Sequence, residues 1–152
     1  VYAAPDRAWG ALAQSPYLAR LSGLHVRQAG LGPDAVRQLA ESPHALSLEW
    51  LSAGHDGLTH AALPALLRSP LFARLARLDL DGRPWLGTVF AQGLAQIGGR
   101  VRLRELGLAE AGVTGAHLQL LLTSVPAEGL GRLGLKGNRI GVAGHQALAR
   151  LP

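Results

Sequence analysis

The sequence predicts a right-handed α/β solenoid, a curved horseshoe of about five strand–helix repeats of 27–28 residues, and three apolar columns predict it. Counting from Leu24 in steps of 27, 27, 28 and 27 residues gives Leu51, Leu78, Leu106 and Leu133. Two residues later a second column reads Val26, Ala53, Leu80, Leu108 and Leu135. Beyond a loop a third reads Leu31, Leu58, Leu86, Val113 and Ile140. Three columns held in one register over five repeats mark a repeat architecture. The first two columns are two residues apart, so their side chains share one face of a strand. One strand and one helix cannot bury an apolar side alone. Stacked neighbours can, with a parallel sheet on one side and helices on the other. Helices are wider than strands, so the strands are expected on the concave side, and each crossover is expected to be right-handed.

In chain order, the frame opens with a helix near 6–14, since the strand of that repeat would precede residue 1. Strands are expected at 24–26, 51–53, 78–80, 106–108 and 133–135. Helices are expected at 34–41, 60–68, 88–97, 115–124 and 142–150, sharing the column Leu39, Leu66, Leu94, Leu121 and Leu148. That makes five strands and six helices. Gly32, Thr59, Gly87, Thr114 and Gly141 stand where N-caps belong, and Thr and Gly can serve there. Ser-Pro pairs at 15–16, 42–43 and 69–70 are read as helix stops, because proline cannot continue a helix. The third repeat takes eight steps from Leu78 to Leu86 where the others take seven, which places one extra residue within Arg83-Pro84-Trp85. Trp9 falls in the helix column of Val36 and Leu63 and is expected in the core.

The most regular repeat is LGRLGLKGNRIG, with Leu130, Leu133, Leu135, Asn138 and Ile140 in the pattern LxxLxLxxNxI. In this the chain resembles the leucine-rich repeat family, and by repeat length and its GNRIG loop the ribonuclease-inhibitor-like subfamily. The resemblance covers nearly the whole chain. It implies a protein-binding scaffold that uses the concave strand face, but fold alone does not fix function. It also implies an asparagine in each loop, bonded to loop backbone. Here that column reads Ala29, Asp56, a shifted Arg83 or Pro84, Ala111 and Asn138, so softer loops are expected in most repeats.

Composition bounds the chemistry. Cysteine is absent, which excludes disulfides, thiol catalysis and Cys-ligated zinc and fits a reducing, cytoplasmic setting. No apolar run reaches membrane-spanning length, so no membrane association is expected. The chain lacks an initiator Met and reads as a single repeat domain over 1–152, a piece of a longer protein. Fifteen Lys and Arg against ten Asp and Glu give a net charge of +5, but only Lys136 is lysine. Arginine dominance reads as the codon bias of a GC-rich, bacterial genome and points only weakly to nucleic acid. Arg100, Arg102 and Arg104 alternate, yet no aromatic residues interleave with them as a nucleic-acid surface would require.

The apparent motifs fail on context. Gly129, Gly131 and Gly134 match GxGxxG but lie over a repeat strand rather than after one. Asp79, Asp81 and Gly82 hint at a calcium loop without its terminal bidentate Glu. Among His25, His44, His55, His60, His117 and His145 no third metal ligand joins the pair His25 and His55, which could approach on neighbouring repeats. No metal, no nucleotide and no other cofactor is expected, and no catalytic set has a usable spacing.

What remains is the strand face. The positions expected to project from it read Gly23, His25, Arg27, Gln28; Trp50, Ser52, Gly54, His55; Arg77, Asp79, Asp81, Gly82; Glu105, Gly107, Ala109, Glu110; and Arg132, Gly134, Lys136, Gly137. From these, His25, Arg27, Trp50, His55, Arg77, Asp79 and Asp81, with Trp85 projecting from the longer loop, are the expected partner-binding residues. Trp50 and Trp85 are expected one repeat apart beside those charges, since exposed aromatics ringed by charge make interface hot spots. The opposing expectation is that both indoles turn inward to fill space near Ala53. The sequence thus reads as a non-enzymatic module binding another protein, with self-association through uncapped ends as a further expectation. The alternative is a regulatory or targeting segment of a larger enzyme, such as a GTPase-activating protein.

Overall fold

Five short strands form one parallel sheet in the order β1-β2-β3-β4-β5. They are β1 (Gly23–His25), β2 (Trp50–Ser52), β3 (Arg77–Asp79), β4 (Glu105–Gly107) and β5 (Arg132–Gly134). The computed structural model describes residues 6–27, 29–55, 57–97, 101–125 and 129–150. Gln28, Asp56, Arg100 and Pro152 lie outside them. Register follows the first leucine column: Leu24 pairs with Leu51, Leu51 with Leu78, Leu78 with Leu106 and Leu106 with Leu133. Each strand begins and ends one residue earlier than expected. The second apolar column therefore falls just past the strands, where it continues the ladder: Val26, Ala53, Leu80 and Leu108 each donate an N–H to the last strand residue of the next repeat.

Seven α-helices flank the strands among the described residues: α1 (Asp6–Gln14), α2 (Pro33–Glu41), α3 (Ala62–Arg68), α4 (Pro70–Arg74), α5 (Leu86–Ile97), α6 (Gly115–Ser124) and α7 (Gly141–Leu148). A 3-10 turn spans Pro16–Arg20. The turn and α4 were not expected. The Ser-Pro pairs do end α1, α2 and α3, but proline also suits the first helical position, where no N–H is needed. Ser69 accepts from Phe72 N at 3.2 Å and so caps the helix that Pro70 opens. That short helix buries Leu71 and Phe72.

Of the five expected caps, Gly32 and Thr114 serve. Thr114 and His117 form a capping box. The other three differ for local reasons. Thr59 donates its N–H to Leu31 O across the repeat boundary, which delays α3 to Ala62. In the third repeat the extra loop residue winds into a turn closed by Leu86 N to Arg83 O, so α5 starts at Leu86 and takes in Gly87. Gly141 is already the first residue of α7.

The core lies between sheet and helices. Leu51, Leu78 and Leu106 join Leu31, Leu58, Leu86 and Val113 from the loop column and Leu39, Leu66, Leu94 and Leu121 from the helices in one buried cluster. Trp9 belongs to it at 6% exposure. Burial at roughly 25 cal/mol per Å² of apolar surface is the main stabilising term. In the outer units Leu24, Leu133, Leu135, Ile140 and Leu148 are only half-buried; among the described residues no strand pairs beyond β1, and no strand or helix packs beyond β5 and α7.

The loops after the strands share a backbone device. His55, Gly82, Glu110 and Gly137 occupy equivalent places and all have positive φ, between 44° and 76°. Glycine adopts this conformation freely, whereas His55 and Glu110 are held there at a cost of order 1 kcal/mol each. The holding force is a second ladder: His55 N bonds Asp81 O, Gly82 N bonds Ala109 O and Glu110 N bonds Lys136 O, at 2.8–2.9 Å. Asn138 fastens the last two loops. Its Oδ1 accepts from Ala111 N and Val113 N at 3.1 and 2.9 Å, and its Nδ2 donates to Leu108 O and Leu135 O at 2.6 and 2.9 Å. In the third repeat Arg83 does part of this work, donating from Nη2 to Leu58 O at 2.8 Å.

Candidate functional site

Alternation within three-residue strands decides which side chains can meet a partner. The central leucine of each strand points into the core and the flanking residues point to the opposite face. Parallel sheets usually carry cover on both faces. Here the face opposite the core leaves Arg77 and Arg132 exposed and Trp50, Asp79, Glu105, Gly107 and Gly134 half-exposed. On it lies a groove of about 320 Å³, lined by Trp50, Arg77, Asp79, Asp81, Glu105, Gly107, Arg132 and Gly134 with the edges of Leu78 and Leu106.

The groove owes its floor to glycine. In the second outward column the residues are His25, Ser52, Asp79, Gly107 and Gly134. The last two leave bare backbone. A Cβ on Gly107 would stand 3.0 Å from Asp81 Oδ1 and 3.1 Å from Asp79 Oδ1, so both carboxylates lean over this glycine. They are fixed by neutral donors. Asp79 accepts from Ser52 Oγ and from Asp81 N, each at 3.0 Å, and Asp81 accepts from Ala109 N at 2.7 Å. Burial raises the Asp81 pKa above its ordinary 3.8, the Ala109 N–H opposes that rise, the Asp79 charge adds to it, His55 opposes it and Glu110 adds to it.

The rim is aromatic at one end and ionic at the other. Trp50 lies flat over Gly23, where any Cβ would strike the ring at 2.2 Å. His25 meets that ring at 6.4 Å between centroids, and the Arg77 guanidinium sits 5.6 Å from its centre. Such a cation–π contact is worth about 0.5–1 kcal/mol at an exposed site. At the other end Arg132 and Glu105 form a loose pair at 4.0 Å, with the Arg132 side chain 80% exposed. Exposed pairs of this kind contribute little to stability.

The structure therefore gathers Trp50, Arg77, Asp79 and Asp81 around one groove, with His25 behind Trp50. His55 and Arg27 lie on the loop side of that face. The His55 ring packs against Gly82, so His25 and His55 take different partners. Ser52 and Gly54, expected to project, are buried, Ser52 under its bond to Asp79 and Gly54 under the Asp81 backbone. Trp85 stands apart from Trp50. It is half-buried against the core, 4.7 Å from the His60 ring, with Arg83 over it at 5.7 Å. Trp50 thus lies on the sheet face but is half-covered, and Trp85 leans toward the core beside His60. Glu105, Gly107, Arg132 and Gly134 also line the groove, and the sequence puts them on the face without marking them as binding residues. The available signal was glycine at the same column in two successive repeats.

Among the described residues no three His, Asp or Glu side chains gather closely enough to hold a metal ion, and no helix is long and apolar enough to cross a membrane. Gly131 donates its N–H to Arg104 O and Gly134 ends β5, so these glycines of the GxGxxG match are sheet backbone. In comparison with known proteins, no protein-family model and no curated protein matches the chain.

Proposed function

We propose that this chain is a right-handed leucine-rich repeat solenoid of the ribonuclease-inhibitor-like kind, and that it works without catalysis as a module binding another protein on the exposed face of its sheet, taken as the concave side. The observation that carries this reading is the parallel sheet whose outer face no element among the described residues covers, with its glycine-floored groove rimmed by Trp50, Arg77 and Arg132. Tryptophan and arginine are enriched among interface hot spots. A strand scaffold fixes their backbone, so binding need not order a loop, although the exposed arginine side chains still lose rotamer freedom. The Asn138 bonds and the strand register over five units support the repeat assignment.

The test is affinity capture from the source cell with three baits: the unchanged chain, a sheet-face variant carrying Trp50→Ala and Arg77→Glu, and a helix-side variant carrying Arg68→Glu. A partner held by the first and third baits and lost from the second is the expected result. If the folded sheet-face variant retains the same partners as the unchanged chain, the sheet face is not the binding surface.

A further inference from the structure

We infer that the groove takes an extended segment of the partner protein through two opposite charges, a lysine or arginine over Gly107 and an aspartate or glutamate two residues away over Gly134. This rests on the sheet face being the binding face and specifies what that face selects.

The groove is ordered by charge along the direction that crosses the strands. Around Gly107 stand Asp79 and Asp81, whose Oδ1 atoms flank the glycine, and Glu105 from the same strand. The bonds to Asp79 and Asp81 come from a hydroxyl and two backbone N–H groups, so hydrogen bonding fixes these carboxylates without neutralising them. Among the described residues neither forms an ion pair. Arg77 is in the lining, but its guanidinium is drawn over the Trp50 ring.

One strand further the sign inverts. Gly134 lies two residues after Arg132, which stays largely exposed despite its loose 4.0 Å pairing with Glu105, and Lys136 is exposed two residues beyond Gly134. Neighbouring strands lie about 4.8 Å apart, and an extended chain rises about 3.3 Å per residue. Side chains of an extended segment alternate in direction, so a basic and an acidic residue two positions apart, roughly 6.6 Å, face the sheet together and reach the two seats. The missing side chain at Gly134 lets the visiting backbone come close to the sheet there, and the one at Gly107 makes room for the two carboxylates. Complementary charge of this kind fixes register and rejects wrong partners more than it adds affinity, because like charges brought together are costly.

The experiment uses the full 152-residue chain, ¹⁵N-labelled, with the Gly107 and Gly134 amide signals as reporters. Four eight-residue peptides of glycine, serine and threonine carry, two residues apart, lysine with glutamate, two lysines, two glutamates, or two alanines. The lysine–glutamate peptide is expected to shift both amides saturably, and the other three to bind at least about fivefold more weakly. Arg132→Glu, at a solvated position, is expected to weaken the mixed peptide by at least about fivefold and to improve the two-lysine peptide. Asp79→Asn with Asp81→Asn is expected to abolish the preference for lysine.

Equal response to all four peptides, or no response to any, overturns the inference. Peptides selected from a random displayed library against the same chain separate its failure from that of the parent reading. If they shift Gly107 and Gly134 without carrying the charge pair, the sheet face binds proteins but does not select this pattern. If they shift only helix-side amides, both readings fall.

Discussion

Asn138→Ala removes the fastening between the last two loops, and its cost can be worked from four bonds. The side chain satisfies the N–H groups of Ala111 and Val113 and the carbonyls of Leu108 and Leu135. Ala111, Val113 and Leu108 are buried, and Leu135 is half-buried. A buried donor left unsatisfied costs about 1–3 kcal/mol, whereas carbonyls tolerate the loss better. Counting the two donors, and allowing water to reach part of the vacated space, gives about 2–4 kcal/mol. For a chain of this size each kcal/mol moves Tm by about 2–4 °C, so a fall of roughly 4–16 °C is expected. Terminal units of a stacked array can open alone, so amide exchange is the sharper assay. The Ala111 and Val113 amides should lose protection while that of Leu80 keeps it. Asn138→Asp keeps the acceptor and loses both donated bonds, and should leave those two amides better protected than alanine does. A Tm change under 2 °C, with Ala111 and Val113 still protected in the alanine variant, would refute the view that this side chain ties the loops together.

Three further outcomes are expected. Leu106→Ala, at a fully buried position in β4, should cost about 2–5 kcal/mol in a denaturant melt, and Leu133→Ala at the half-buried edge distinctly less. A neutral Leu106→Ala would mean that the leucine column is not core. Asp81 binds its proton more tightly folded than unfolded, so the stability it contributes is fully present below pH 3.8 and is lost as pH rises through the higher folded value. Asp81→Asn should flatten stability against pH in that window, and an unchanged slope would contradict the burial argument. Acrylamide should quench Trp50 and Trp85 more strongly than Trp9, and comparing Trp→Phe variants at the three positions checks this. Trp9 as the most quenchable indole would displace it from the core.

The strand layout was legible because period and burial coincide: Leu51, Leu78 and Leu106 recur at the repeat length and each points inward. The one-residue offset was not, since the ladder is set by which carbonyls meet, and Leu80 N bonding Gly107 O leaves no sequence trace. Helix α4 is not legible from its proline alone, because Pro70 stops one helix and opens the next, and Ser-Pro followed by Leu71 and Phe72 spells both a stop and a capped start. The groove was half-legible. Alternation put the right residues on its face, but that Gly107 would be floor and Asp79 wall depends on adjacency across three strands. The direction of Trp85 was not legible, because an inserted loop residue changes direction in a way that counting cannot supply. The Arg83 bond to Leu58 O was hidden for a related reason, since an arginine can replace part of an asparagine's bonding from a shifted position.

Each strand pairs only with its neighbours in sequence order, and this makes the chain a mechanical object as well as a surface. Load applied along the chain from one end would meet the ladders one after another rather than all at once. Each unit peeled from the stack would release about 27 residues, or roughly 90 Å of extended chain, for the loss of one strand pairing and its helix contacts. Extension should therefore rise in steps of nearly equal length. The Asn138 fastening would make the step that separates the last two units the stiffest at that end.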